Sequence, residues 1–304
     1  MIKEISPHMI SDRPSCLLIG NGINRRFYDE SWEQIIKKEL INSKQNCTYE
    51  EIRDMPATMQ IVVATRDNVA NRMKDLSERL MDLNMSEERV QFLQELLGLP
   101  VDDILTANYS FEMEAASGMP LSKKIYSRAL KSSFDLENKH KQFRLFQYYE
   151  SEKQKRIWHI HGDAAKPDTM LMGHYYYAKQ LRAIQDCVPK TVRRYQICQK
   201  NGEPFQPYSW VDQFLTGDVY VLGLGMYMCE ADLWYLACCK KRNFPETKTY
   251  FYDLAINDLC KQKLLEAYNI EIIDGTILGA TSYETDFYPK AMNHVHNKIE
   301  ERKS

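Results

Sequence analysis

The chain has 304 residues, of which 44% are hydrophobic, so it can bury a full core without a disulfide or metal staple. With 40 Lys and Arg against 42 Asp and Glu, it lacks the overall basic footprint that nucleic-acid binding leaves, so nucleic-acid contact by this chain alone is not expected. No apolar run approaches the roughly 18 residues of a membrane span, and "MIKEISPHMISDRP" has no secretory apolar core, which points to the cytoplasm.

The first strand candidate is "CLLIG" (16–20), followed by "NGINRRF". Gly20 and Gly22 flank Asn21, with Asn24, Arg25 and Arg26 just beyond. Glycines let backbone N–H groups approach a phosphate, and a helix start favours its charge; a tight turn without ligand, followed by solvated arginines, is the plainer reading. Ser31 to Gln34 then offers a capping box for a helix through "IIKKELI". Met59, Val62, Val69, Met73, Leu76, Leu80 and Leu83 keep the three/four spacing of one long amphipathic helix. A third helix is expected from Ser86 to Gly98, with Pro100 beyond. Residues 30–100 thus read as a helical insertion beside an α/β core.

The second strand candidate is "DDILTAN" (102–108). Thr106 and Asn108 alternate onto one side as it ends; the Asn108 amide offers donor and acceptor to a ribose hydroxyl or a water, or simply marks a turn. A second insertion, 111–155, is polar and aromatic. It leads into "RIWHIHG" (156–162), where His159 and His161 share a face if the strand continues. His161, beside Gly162, suits a general base near neutral pH. Metal ligation with Asp163 or His174, or a structural pair, are the rival readings.

"VYVLGLG" (219–225) brings Gly223, Leu224 and Gly225 to the next strand end, and Asp232 reads as first-turn helix charge. "TYFYD" (249–253) ends in Asp253, an acceptor for ribose hydroxyls or a plain turn residue. "IEIIDG" (270–275) is the sixth candidate. Helices are expected near 230–242, 255–268 and 281–300. The eight cysteines contain no C-x-x-C pair, and Cys238 and Cys239 read as buried helix positions. Strands alternating with helices imply an α/β fold: a Rossmann-like parallel sheet of about six strands, helices on both faces and a helical insertion, as one domain over 1–304. Ligands of such sheets bind outside the carboxyl ends of the strands.

Gly20-Asn21-Gly22, Thr106-Ala107-Asn108-Tyr109, His161-Gly162 and Gly223-Leu224-Gly225, in that order, resemble the sirtuin-like superfamily, in particular its divergent bacterial anti-phage branch. "TMLMGHYYY" is similar to the stretch after that branch's H-G motif. The resemblance covers about half of the chain, the α/β core. It implies an NAD pocket and no metal. Asn108 and His161 take the catalytic positions, and Gly20, Asn21, Gly22, Asn24, Arg25, Thr106, Tyr109, Gly223, Leu224, Gly225 and Asp253 line the cofactor. The chain has neither the four-cysteine zinc module nor the G-I-P-D-F-R segment of deacylating sirtuins, and Ser110 stands where Asp often follows T-x-N-Y. The expected activity is NAD hydrolysis to nicotinamide and ADP-ribose, in defence by NAD depletion. Activation is expected through homo-oligomerisation or a separate partner, with the 30–100 helices as docking surface or as a cap over the pocket. A silent NAD or ADP-ribose sensor, and a deacylase or ADP-ribosyltransferase, are the alternatives.

Overall fold

All six apolar runs form strands, and they are the six parallel strands of a single sheet. The structure, a computed structural model, describes residues 13–27, 32–42, 47–65, 69–118, 124–126, 145–150 and 155–303. Its strands are β1 (Ser15–Ile19), β2 (Asp103–Thr106), β3 (Lys124–Tyr126), β4 (Gln147–Glu150), β5 (Arg156–His159), β6 (Asp218–Leu222), β7 (Thr249–Asp253) and β8 (Ile270–Asp274). They lie in the order β3-β4-β5-β2-β1-β6-β7-β8. The six expected strands pair in parallel, while β3 and β4 add an antiparallel edge. Both additions come from 111–155, so that segment extends the sheet.

Counting only the parallel strands in chain order, the arrangement is 3-2-1-4-5-6, the order of a dinucleotide-binding Rossmann sheet, with its switch point between β1 and β6. The chain is an α/β protein with a Rossmann-like fold.

Eleven α-helices are described: α1 (Trp32–Asn42), α2 (Tyr49–Ile52), α3 (Ala57–Thr65), α4 (Val69–Met81), α5 (Glu87–Gly98), α6 (Glu112–Ala116), α7 (His174–Asn201), α8 (Trp210–Thr216), α9 (Ala231–Asn243), α10 (Leu259–Ala267) and α11 (Phe287–Lys303). Alternate residues of the central strands enter two cores. Leu17, Ile19 and Leu222 pack with Ile35 and Ile36 of α1, Met73 of α4, Leu93 of α5 and Val295 of α11. Cys16, Leu18 and Val221 pack with Ile184 of α7, Trp210 of α8, Leu233 of α9 and Leu265 of α10. The 30–100 helices are therefore the layer covering one face of the sheet, because their apolar stripes are what that face buries.

The expected long helix is two, α3 and α4, with 66–68 outside the described residues. Their stripes differ: Ile61 and Ala64 are buried on α3 while Met59 and Val62 are exposed, and Met73 and Leu76 are buried on α4. The third helix runs as expected, with the Ser86 hydroxyl accepting from the Arg89 N–H. Ser31 of the expected capping box lies outside the described residues, although α1 begins at the next position. The expected C-terminal helices are α9, α10 and α11. Cys238 and Cys239 are half-buried on α9 rather than buried, and all eight cysteines are free thiols. Among the described residues, no helix is long and apolar enough to cross a membrane.

Candidate active site

Strand register brings the motifs to one edge. Ile19 of β1 pairs with Thr106 of β2 and with Leu222 of β6, and Thr106 pairs with His159 of β5. Gly20, Ala107, Ile160 and Gly223 are each the next residue, so the four motifs leave the sheet side by side at the carboxyl ends of four adjacent strands.

The two glycine loops meet each other. The Gly20 N–H donates to the Leu222 carbonyl at 3.0 Å and the Gly22 N–H to the Gly223 carbonyl at 2.7 Å. A Cβ on Gly20 or Gly22 would lie 2.6 or 2.7 Å from the Gly223 oxygen. These glycines serve the close crossing of two loops at the switch point. Gly162, with φ +88°, would put a Cβ 2.1 Å from the Thr169 oxygen, so its close approach is to the chain's own backbone.

Asn108 lies two residues beyond the end of the β2–β5 pairing. Its N–H donates to Thr106 Oγ1 at 3.1 Å and its carbonyl oxygen is 2.9 Å from His159 Nδ1. The half-buried Asn108 carboxamide has no hydrogen-bond partner among the described residues. His161 also lies two residues past the pairing and is 3% exposed. Its Nε2 is 3.1 Å from Asp232 Oδ2, which also accepts from Gln180 Nε2 at 2.7 Å; the Tyr177 ring packs edge-on at 5.3 Å. No described residue bonds His161 Nδ1. Burial alone favours a neutral imidazole, but the Asp232 charge and hydrogen bond outweigh it and raise the His161 pKa. The same partnership holds Asp232 below its ordinary value against the opposing effect of burial. Beside them, Glu230 is 8% exposed and accepts from the Tyr227 N–H. Burial pushes it up to about 7, His161 opposing and Asp232 adding.

The two histidines do not share a face. β5 ends at His159, whose ring packs against Phe111 and Tyr149 on one side of the sheet, while His161 turns toward α7 and α9 on the other. Each has its own carboxylate, Glu114 at 2.8 Å for His159 and Asp232 for His161. Among the described residues no group of three or more His, Cys, Asp and Glu side chains is gathered to hold a metal, and His174 is exposed at the start of α7.

The remaining expected residues divide. Thr106 is buried and caps the Asn108 N–H. Asn24 is 2% exposed and fully engaged: its amide donates to Asn21 Oδ1 and Glu112 Oε2, and its oxygen accepts from Arg89. It ties the turn after β1 to α5 and α6. Ser110, at the departure from the T-x-N-Y pattern, donates to Glu112 at 2.8 Å in the same network. The buried Tyr109 donates its hydroxyl to the Leu171 carbonyl at 3.0 Å. Leu224 is buried, while Gly22, Gly223 and Gly225 are partly open. Arg25 is exposed and lies over the Tyr283 ring at 5.1 Å. Asp253 accepts from the Tyr283 hydroxyl and pairs with Lys261 at 3.5 Å, one β-strand beyond the switch point.

Asp232, Glu230, Glu114, Gln180 and Tyr177 were not expected. Asp232 read as helix-start charge because nothing local distinguishes a buried first-turn carboxylate from a solvated one. Glu114 carried a faint signal, an acid within the apolar "FEMEAA". Comparison with protein-family models and with curated proteins finds no match for this chain.

Proposed function

We propose that the chain is an NAD glycohydrolase, cleaving NAD to nicotinamide and ADP-ribose. One observation carries the reading: an Asn108 carboxamide with no hydrogen-bond partner among the described residues and a carboxylate-backed His161 leave adjacent strands at the carboxyl edge of a Rossmann-like sheet. The order of the four motifs, similar to that of the sirtuin-like defence branch, supports NAD as substrate.

Nicotinamide leaves as a neutral molecule, so breaking its bond to the ribose C1′ needs no strong acid. The site has to support an oxocarbenium-like state and aim a water. Asn108 would hold the 2′-hydroxyl and that water. His161 Nδ1 would take the proton, directly or through a ribose hydroxyl, while Asp232 holds the Nε2 side of the ring. The open backbone of Gly22, Gly223 and Gly225 would receive pyrophosphate, with Arg25 and Asp253 toward the adenosine end.

The burial of His161 supports a resting state that must open, and hence activation by a partner or by self-assembly. An NADase restrained in this way suits defence by NAD depletion. The free thiols support a cytoplasmic setting.

Purified protein, alone and with the product of the adjacent gene, is incubated with NAD, and free nicotinamide is measured. Release is expected to fall at least on the order of 100-fold in Asn108→Ala and His161→Ala. Full activity in both variants would refute the assignment.

A further inference from the structure

His159 has no ring nitrogen to spare. It is 2% exposed, its Nδ1 is 2.9 Å from the Asn108 carbonyl oxygen and its Nε2 is 2.8 Å from Glu114 Oε1. A carbonyl oxygen only accepts, so Nδ1 carries a hydrogen and donates it. Nε2 and Glu114 then share one further proton. Burial alone favours the neutral ring, but the Glu114 charge and hydrogen bond, with help from Asp163 and the Asn108 carbonyl, raise the His159 pKa. The resulting arrangement is an imidazole and a carboxyl group that share a proton, with Glu114 0% exposed.

Such a pair is costly. Desolvating two ions commonly exceeds their mutual attraction, and apolar replacements of similar volume often stabilise. Here the ring sits between Phe111 and Tyr149 at 5.0 and 5.6 Å, a setting that a phenylalanine would fill. What the imidazole supplies and a phenyl ring cannot is a donor to Asn108. That bond completes a set. The Asn108 N–H is held by Thr106, its carbonyl by His159, and the next carbonyl, of Tyr109, by the Ala164 N–H at 2.9 Å. The main chain is fixed on both sides of a side chain that no described residue bonds.

We propose that His159 and Glu114 form a buried positioning pair that fixes the main chain of Asn108, so that its carboxamide meets the scissile ribose in one orientation. The inference rests on the glycohydrolase reading of the same site. His159 acts through Asn108 and touches no substrate.

Three variants of the full chain test it: His159→Phe, His159→Gln and Glu114→Gln. His159→Phe keeps the ring volume and loses the donor. Its kcat for nicotinamide release from NAD is expected to fall on the order of 10-fold to 100-fold, the scale of misplacing a reacting group, with KM little changed. His159→Gln, whose amide can donate, is expected to recover part of the loss. Side-chain ¹⁵N spectra supply a readout that needs no turnover. The pH at which the His159 ring loses its second ring proton is expected to fall in Glu114→Gln, which removes the charge that raises it, Asp163 being the remaining nearby carboxylate and Tyr149 the nearby phenol. The ¹³C shift of the Asn108 carbonyl is expected to move in each folded His159 variant. Wild-type kcat in His159→Phe, a ring midpoint that is unchanged in Glu114→Gln, or an Asn108 carbonyl that does not move would overturn the proposal. If the wild-type protein releases no nicotinamide under any activating condition, the glycohydrolase reading fails, and the two spectral readouts still decide the pair.

Discussion

Replacing Glu230 by Gln should stabilise the protein, and only at the alkaline end. Glu230 is 8% exposed and caps the Tyr227 N–H, a bond that a Gln oxygen can also accept. Its pKa is raised from 4.5 to about 7, chiefly by burial and secondarily by the Asp232 charge, with His161 opposing. In the window between those values the folded state holds a proton that the unfolded chain has released. Stability therefore falls as pH rises from 4.5 and levels off above about 7. At about 1.4 kcal/mol per pKa unit, ionising this carboxylate in the folded protein costs about 3 kcal/mol. Gln removes that cost, together with the smaller part of the His161 shift that the Glu230 charge supplies. The measurement is urea unfolding of both proteins across the pH range. The variant-minus-wild-type difference should be level below pH 4.5 and rise through the window to about 3 kcal/mol in favour of the variant above pH 7. A difference that is flat with pH, or one that falls, would show that Glu230 is not buried as a proton-retaining acid.

Asp232→Asn removes the main charge that holds the His161 pKa up, leaving the weaker influence of Glu230 against burial, which pulls it down. Because a base works when deprotonated, the rising limb of kcat for nicotinamide release should move to lower pH while the plateau drops on the order of 100-fold; a limb that keeps its wild-type position would count against Asp232 as the partner. The folding contribution of the raised His161 is present below about pH 6.5 and is lost as pH rises through its folded value, and this loss should shrink in the urea midpoints of the same variant. Gly162→Ala combines a left-handed φ with a Cβ 2.1 Å from the Thr169 oxygen, and unfolding midpoints should report a loss of about 3 kcal/mol or more. Gly98→Ala, with nothing near its Cβ at a helix end, should be neutral or slightly stabilising in the same assay.

The central sheet could be read from the chain because parallel strands buried on both faces are written as short apolar runs, and "CLLIG", "VYVLGLG" and "TYFYD" have no competing reading. The cap of α5 was equally plain, since Ser86 and Gly98 act locally. β3 and β4 were hidden: "QYYE" is polar at half its positions, and an antiparallel edge is defined by its partner. Apolar spacing carried α3 and α4 as one stripe, although Met59 and Val62 face outward while Ile61 and Ala64 face in. Within the site, Asn108 and His161 were readable because their places at strand ends are one-dimensional facts. Their carboxylates were not. Asp232 lies 71 residues from His161 and Glu114 lies 45 from His159, and only packing of α9 and α6 onto the sheet makes them neighbours. The glycine pairs read in sequence as places where a phosphate approaches the backbone, and what approaches it in the structure is the other loop.

Asn108 and His161 are governed from opposite sides of the sheet. Glu114 belongs to the helical layer of Phe111 and Met113, and Asp232 to the layer of Leu233 and Leu236. A change in the packing of one layer would therefore reach one of the two residues through its carboxylate without passing through the other's. On the proposed reading, the two residues meet one substrate only when both layers hold their positions, so the site would depend on the packing of both faces of the sheet at once.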